Sequence, residues 1–406
     1  MKEWKTYKLS EIGQVIGGAT PSTKVASNYD GDIAWITPKD LSLLSGRYIY
    51  KGERSITEAG YRSCSCQMLP AGSILFSSRA PIGYIAIAGN DLCTNQGFKS
   101  VVPNPEIVNS HFLYYLLSYE KNRIAEMGSG TTFMEISGNV MKNIEVKLPH
   151  LSIQNKIAEI LTSLDEKIEN NQRINDNLEQ QAKALYKSWF VDFEPFKDGD
   201  FIESEIGEIP AGWSIVKFSD ISETPKKTIN PQKLPDTTFC HYSLPACDNG
   251  LIPEIQTGKD IMSNKIILQN NTTLFSKLNP RIKRIWFTGE VLPNSICSTE
   301  FIPFRAKYDT EASYIFSIVN SDAFYATVMG CVNGATGSHQ RFHAEDTEDF
   351  LCSYNKDVVN EFSKLVEPIL SQMHDLRHEN VMLASTRDAL LPKLMSGELK
   401  INEIDC

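Results

Sequence analysis

Between Leu151 and Phe190 apolar side chains return every three or four positions, at Ile157, Ile160, Leu161, Leu164, Ile168, Ile174, Leu178, Ala182, Leu185 and Trp189. The run contains neither glycine nor proline. That spacing lays an apolar stripe along one face of a helix, and most of the residues between are good helix formers. Pro149 bars a helix from entering on the N-terminal side, and Ser152 is the expected N-cap. At about 1.5 Å per residue the helix reaches roughly 55–60 Å, longer than a small domain is wide, so its stripe needs a second element to cover it. From Val358 to Leu399 the pattern returns at a shift of about 205 positions: Phe362, Ile369, Leu383, Ala389, Leu390 and Leu394 stand against Ile157, Leu164, Leu178, Ala184, Leu185 and Trp189. Two such helices most simply pair antiparallel as a coiled coil, with Asn171 inside the first stripe to fix register. Pro368 and Pro392 are expected to kink the second helix or delay its start. A two-helix core element with no further role is the plainer reading of the same pattern.

The rest of the chain carries a shorter period. In residues 1–150, turn signals at Gly17-Gly18, Thr20-Pro21-Ser22, Tyr29-Asp30-Gly31, Pro70-Ala71-Gly72 and Gly89-Asn90-Asp91 separate β-type runs at Asp32–Thr37, Ser73–Ser77, Ile82–Ala88 and Lys99–Val102. A helix is expected over His111–Met127, a loop over Gly128–Thr132, and a last strand over Val140–Leu148. Residues 196–212, with Gly199, Gly207, Pro210 and Gly212, read as a polar linker. A second block, 213–356, then echoes the first in order. Trp4–Ile12 is answered by Trp213–Ile221, Leu75-Phe76-Ser77 by Leu274-Phe275-Ser276, and Cys93-Thr94 by Cys297-Ser298. The helix at Phe112–Met127 is answered by Tyr314–Met329, and Gly130-Thr131-Thr132 by Gly334-Ala335-Thr336. The collinearity points to an internal duplication. The expected fold class is α+β: globule (1–150), long helix (151–195), linker (196–212), globule (213–356) and long helix (357–406), with the globules at opposite ends of a rod about a pseudo-two-fold axis.

Composition fits a globular protein of two or three domains. No run approaches the ~18 apolar residues of a membrane span, and MKEWKTYKLSEIG has no signal-peptide core. Nine scattered cysteines without a paired CxxC pattern suit reduced thiols in the cytoplasm and no metal. The net charge of −10 speaks against a lone, tight binder of nucleic acid. Its distribution softens that, because 259–307 holds eight basic residues against three acidic ones.

Catalytic signatures are missing. Thr257-Gly258-Lys259 lacks the upstream glycine of a phosphate loop, Gly128-Ser129-Gly130 follows a helix rather than a strand, and there is no HExxH or Gly-x-Ser-x-Gly. Asn230-Pro231-Gln232 and Asn279-Pro280-Arg281 do not meet the Asn-Pro-Pro-Tyr pattern of amino-methyltransferases. What the sequence does carry is polar and basic loops. Lys277, Asn279, Arg281, Lys283 and Arg284 surround Trp286, and Ser338, Gln340 and Arg341 follow the second block's helix. The matching places in the first block hold Ser78, Arg79, Thr131 and Thr132, with Thr20, Ser22 and Lys24 in its first turn. Arginine suits guanine edges and glutamine or asparagine suits adenine, whereas lysine, serine and threonine mostly hold phosphates. An ordinary solvated face is the competing reading.

The chain resembles the specificity subunit of type I restriction–modification systems over essentially its whole length. The resemblance is carried by Leu148-Pro149, Leu151, Gln154, Ile157-Ala158, Leu164-Asp165 and Ile168, by Leu185–Pro195, by Gly207–Trp213, and by Leu390–Leu399. Gly17–Ser22 and Ser276–Ile282 resemble parts of target recognition domains, while His150 and Ile153 depart from the usual residues. The resemblance implies a non-catalytic protein that binds double-stranded DNA, each globule being a target recognition domain for one half of a split site. The helices, through Ile157, Leu164, Leu178, Leu185, Trp189, Phe362, Ile369, Leu383, Leu390 and Leu394, would set the gap and dock two methyltransferase subunits. It further implies that S-adenosylmethionine sits on those partners and not on this chain, that nuclease/translocase subunits join the complex, and that no membrane is involved. The alternative is a coiled-coil scaffold whose globules bind proteins; an enzyme with an unrecognised site is a third reading.

Overall fold

The computed structural model describes residues 4–44, 46–129, 134–332 and 340–399 of the 406. The chain divides into two compact units, Met1–Glu169 with Met382–Cys406, and Asn170–Val381. Both divisions fall inside a long helix, so each unit owns a piece of both.

The first long helix spans Leu151–Phe190 and the second Lys356–Ser396. The first starts one residue before Ser152. His150, not Ser152, supplies the cap: its carbonyl accepts from Ile153 N (2.8 Å) and Gln154 N (3.1 Å), and its ring Nδ1 lies 3.0 Å from the Ser152 hydroxyl. Gln154, buried, donates to Pro149 O (3.0 Å) and Ile107 O (3.1 Å) and accepts from Asn109 N (3.0 Å), which fixes the helix start to the loop before Ser110. The second helix does not start late: it runs unbroken through both prolines. Pro368 and Pro392 both lie on its exposed face, as do Lys364 and Asp388, whose carbonyls each proline frees, so water can take up the missing bonds.

Within each unit the helix segments run antiparallel. In the first, Arg387 Nη1 donates to Asp165 Oδ1 (2.6 Å), and Leu394 and Met395 share a core with Ile157, Ala158 and Leu161. In the second, the fully buried Asn171 donates to Glu379 Oε2 (2.7 Å) and Asn380 Oδ1 (2.9 Å), while Tyr186 and Phe190 meet Phe362. Partner numbers fall as helix numbers rise, in the manner of an antiparallel coiled coil.

In the first unit the order Gly13–Gly17, Lys99–Pro103, Ile74–Phe76, Ile85–Ala88, Tyr48–Ile49 makes a five-stranded sheet. Beside it lies a three-stranded sheet, Arg54–Ile56, Tyr29–Ile36, Cys93–Thr94, whose last pair is parallel with Trp35 opposite Cys93. The second unit repeats this plan without a counterpart of strand Tyr48–Ile49. Ser222–Glu223, Phe301–Ala306, Thr272–Ser276 and Ile285–Phe287 form one sheet. Glu254–Thr257, Thr238–Tyr242 and Ser295–Ser298 form the counterpart of the other, again with a parallel pair, His241 opposite Ile296. Two added strands, Lys265–Ile267 and Thr228–Ile229, extend it. The duplication read from the sequence is thus a duplication of strand order, each unit keeping one parallel pair at the same place.

Three expectations need correcting. Val140–Leu148 is a short helix, Gly138–Asn143, capped by Ser137, before a strand, Glu145–Leu148. The helix expected over Tyr314–Met329 is two, Ala312–Asn320 and Asp322–Cys331, because Ser321 leaves the helical conformation and its hydroxyl caps the next helix at Phe324 N (3.2 Å). The polar stretch 196–212 contains an antiparallel hairpin, Phe201–Ser204 with Gly207–Pro210, and Phe193 and Phe196 before it pack on Trp213. Gly207 takes a left-handed φ of 103° at its turn, which only glycine adopts without strain.

Both heads pack apolar side chains on the helices, and each adds a contact set of its own. In the first unit Arg47, 3% exposed, binds Glu169 through Nε (2.9 Å) and Nη2 (3.1 Å), while Tyr115 donates to Asp165 (2.6 Å) and Arg47 Nε lies 3.9 Å from the same carboxylate. In the second unit the added set is aromatic: Phe190 contacts Tyr314, Phe362 and Trp213 at centroid distances of 4.7, 5.0 and 5.5 Å. Removing one member of a buried ionic network strands the others. Arg47→Met is therefore expected to destabilise the first unit by about 3–5 kcal/mol in chemical unfolding; a loss within about 0.5 kcal/mol, as at an ordinary surface site, would contradict the clamp.

Candidate nucleic-acid interface

Three chain segments converge at the same place in each unit. In the first they are the loop after strand Ile74–Phe76, the turn after Cys93–Thr94, and the segment around Glu135. Ser78 N donates to Gly97 O (2.7 Å), Ile136 N to Ser78 O (2.8 Å), and Arg79 and Ser129 each bridge Glu135. In the second they are the loop after Thr272–Ser276, the turn after Ser295–Ser298, and Gln340-Arg341. Lys277 N donates to Glu300 O (2.9 Å), Asn279 N to Gln340 O (2.8 Å), and Leu278 bridges Arg341. Asn279 sits at φ 48°, a left-handed conformation that asparagine tolerates.

The side chains expected at the interface have separate fates. Ser78 is fully buried and its hydroxyl donates to Gly97 O (3.2 Å), so it braces the loop and faces no ligand. Lys283 is turned inward: Nζ donates to Asn320 O (2.7 Å) at the C-terminal end of helix Ala312–Asn320, where the helix dipole favours a cation, and burial pushes its pKa down. Arg284 forms a fork on Asp248, at 2.6 and 2.9 Å, with its side chain only 16% exposed, and that hydrogen bonding raises its pKa. These three are removed from the candidate surface. Thr20 donates to Gln96 across the loop mouth, Ser22 and Lys24 are exposed, and so is Arg281, which makes no ion pair among the described residues. Lys277 and Asn279 are half-buried, their backbones held by the contacts above. Arg79 and Arg341 keep about two-fifths of their side chains in solvent (45% and 41%), each held by a carboxylate. The Gln340 side-chain oxygen is buried and meets no donor among the described residues. Thr131, Thr132 and Ser338 lie outside the described residues.

Of the ten helix residues, Ile157, Leu178, Phe362 and Leu394 are buried within their own units, which withdraws them as contacts to another protein. Leu164, Leu185, Trp189, Ile369, Leu383 and Leu390 retain partial exposure. The carboxylates Glu135 and Glu300, with Lys99 and Gln96, complete the convergence and were not singled out from the sequence. The signal for Glu300 was at hand, since it follows Cys297-Ser298, the counterpart of Cys93-Thr94, by two residues. Among the described residues no His, Cys, Asp and Glu cluster is placed to hold a metal ion, and no helix is long and apolar enough to cross a membrane.

Residues 1–180 match the model of the type I restriction modification DNA specificity domain. The type I restriction enzyme MjaIX specificity subunit of Methanocaldococcus jannaschii is 34% identical over 420 residues, taking in 99% of this chain and 95% of that one. The type I restriction enzyme HindI specificity subunit of Haemophilus influenzae is 24% identical over 98% of this chain and 100% of its own length. Among solved structures, the type I restriction–modification S subunit from M. genitalium shares the fold with a TM-score of 0.59 at 14% identity, covering 97% of this chain and 96% of that one.

The geometry separates two neighbouring arginines. Arg284→Ala removes a half-buried charged fork and is expected to lower stability by about 1–3 kcal/mol, whereas Arg281→Ala should leave the unfolding midpoint in place. Denaturant titration of both variants checks this; equal effects would show that the Arg284 fork contributes nothing.

Proposed function

This chain belongs to the family of type I restriction enzyme specificity subunits, and on that footing we propose that it reads a DNA target made of two separated parts, one for each unit. It is a non-catalytic subunit. The observation that carries the proposal is the repeated plan: two units with matching strand orders and the same three-segment convergence, each rooted on both long helices. A duplicated reader suits a duplicated contact. The exposed or half-exposed Thr20, Ser22, Lys24, Arg79, Lys277, Asn279, Arg281, Gln340 and Arg341 are the DNA contacts of this proposal, with Thr131, Thr132 and Ser338 as further candidates.

The helices act as the spacer. A rigid antiparallel pair fixes the distance between what two heads can grip, and DNA half-sites one turn of duplex apart are ~34–36 Å from centre to centre. The partly exposed Leu164, Leu185, Trp189, Ile369, Leu383 and Leu390 are offered as docking positions for two methyltransferase subunits. Those partners would carry S-adenosylmethionine and methylate the DNA in the cytoplasm; nuclease/translocase subunits would join them for cleavage. This chain would bind no cofactor. Partner subunits also resolve the charge: a protein of net charge −10 grips a polyanion poorly alone, and neighbours can supply phosphate contacts.

Two experiments test the reading. The complex assembled with its methyltransferase should bind duplex DNA with affinity that falls steeply with salt. A protein scaffold would show no such dependence. Inserting four residues, about one helical turn, at matched points of both long helices should change the gap tolerated between half-sites and leave the half-sites themselves alone. Altered half-sites with a constant gap would contradict the spacer role.

A further inference from the structure

Arginine has five N–H donors in a rigid plane, and a carboxylate engaging Nε and one Nη leaves the terminal pair free. That is the arrangement at Arg341. Its Nε donates to Glu300 Oε2 and its Nη2 to Glu300 Oε1, both at 3.1 Å, and 41% of the side chain remains exposed, with no further ion pair among the described residues. Glu300 is itself held, its N–H donating to Ser298 Oγ (3.2 Å) and its carbonyl accepting from Lys277 N (2.9 Å). The first unit also sets an arginine on a carboxylate, from different chain positions and through a single contact instead of a fork. Arg79 Nε meets Glu135 Oε2 at 3.0 Å, Lys99 takes the other oxygen at 3.4 Å, and backbone bridges tie Glu135 to both Arg79 and Ser129. Here the arginine comes from the first loop and the acid from the return segment; in the second unit the arginine comes from the return segment and the acid from the strand turn. Arg284 makes the same fork, on Asp248, but its side chain is only 16% exposed. Arg305 has both terminal nitrogens taken, by Glu223 (3.2 Å) and Asp309 (2.7 Å), and Arg47 is buried.

We propose that Arg79 and Arg341 are the guanine-reading residues of the two units, and that Glu135 and Glu300 are positioning residues that hold them in the reading pose. The proposal rests on the DNA-reading role argued above. A guanine presents O6 and N7 side by side in the major groove, and the free terminal N–H pair of a braced arginine matches them in a bidentate contact. The brace restricts rotamers that a long side chain would otherwise have to lose on binding. Arg281, exposed and without an ion pair among the described residues, is a phosphate contact by the same logic. The target therefore contains at least one G·C pair in each half.

The test uses the complex of this chain with its methyltransferase, and reads both the methylated motif in cells and DNA affinity against salt. Arg341→Lys keeps the charge and loses the fork. It should relax one base position of one half-site, by roughly tenfold to a hundredfold in discrimination, with the salt slope unchanged. Glu300→Gln should relax the same position more mildly, with the thermal midpoint preserved; Arg79→Lys and Glu135→Gln should do so in the other half. Arg281→Ala should weaken all sequences alike and reduce the salt slope by about one. The proposal is overturned if the lysine variants lose affinity evenly across sequences, if base preference stays as in the parent, or if the parent motif lacks G·C in either half. A parent complex that shows no salt-dependent DNA binding would instead defeat the DNA-reading role itself.

Discussion

Two helices of 40 and 41 residues, each with an apolar stripe along its length, are stable only when the stripes are covered, and the covering is what the rest of the chain is arranged around. Antiparallel pairing covers part of each stripe and leaves the remainder to the globular heads. The polar positions inside the pairing set its register. Asp165 takes Arg387 and Asn171 takes Glu379 and Asn380, and a slip by one turn would leave these groups buried without partners. Apolar packing thus supplies the stability of the pair and a few buried polar contacts supply its uniqueness.

The heads inherit their placement on the helices from this frame. In the first unit the same Asp165 that meets Arg387 also accepts from Tyr115, and Glu169, one turn on, holds Arg47. A reading loop that must present side chains to DNA within a fraction of an ångström needs such a footing, since precision at a site depends on the rigidity beneath it. In the second unit the footing is a ring cluster around Phe190, which tolerates more repacking than an ionic lattice does. One plan, duplicated, carries two chemically different sets of added contacts.

Much of this was legible in the sequence. The long helices showed because a 3.6-residue period sustained over many turns leaves few alternatives, and the duplication showed because the matched pairs keep their order. What was missed depended on contacts distant in the chain. That Arg284 would be occupied by Asp248, and Lys283 by the Asn320 carbonyl, follows only once the strands are assembled. A basic run in sequence is therefore a poor guide to which cations face solvent: of Lys277, Arg281, Lys283 and Arg284, two are committed inside the fold. The hairpin at 201–210 hid behind polar residues and glycines that read equally well as a linker. The break at Ser321 could have been found, since Ser-Asp at the head of an apolar run is a helix start signal.

The claim that a duplicated chain reads a duplicated target is tested most directly by mapping adenine methylation across a genome with and without this gene, its methyltransferase partner being present in both cases. The account predicts a motif that appears only with the gene and consists of two short specified stretches separated by a fixed number of unspecified bases. A single uninterrupted motif, or a methylation pattern indifferent to the gene, would contradict it.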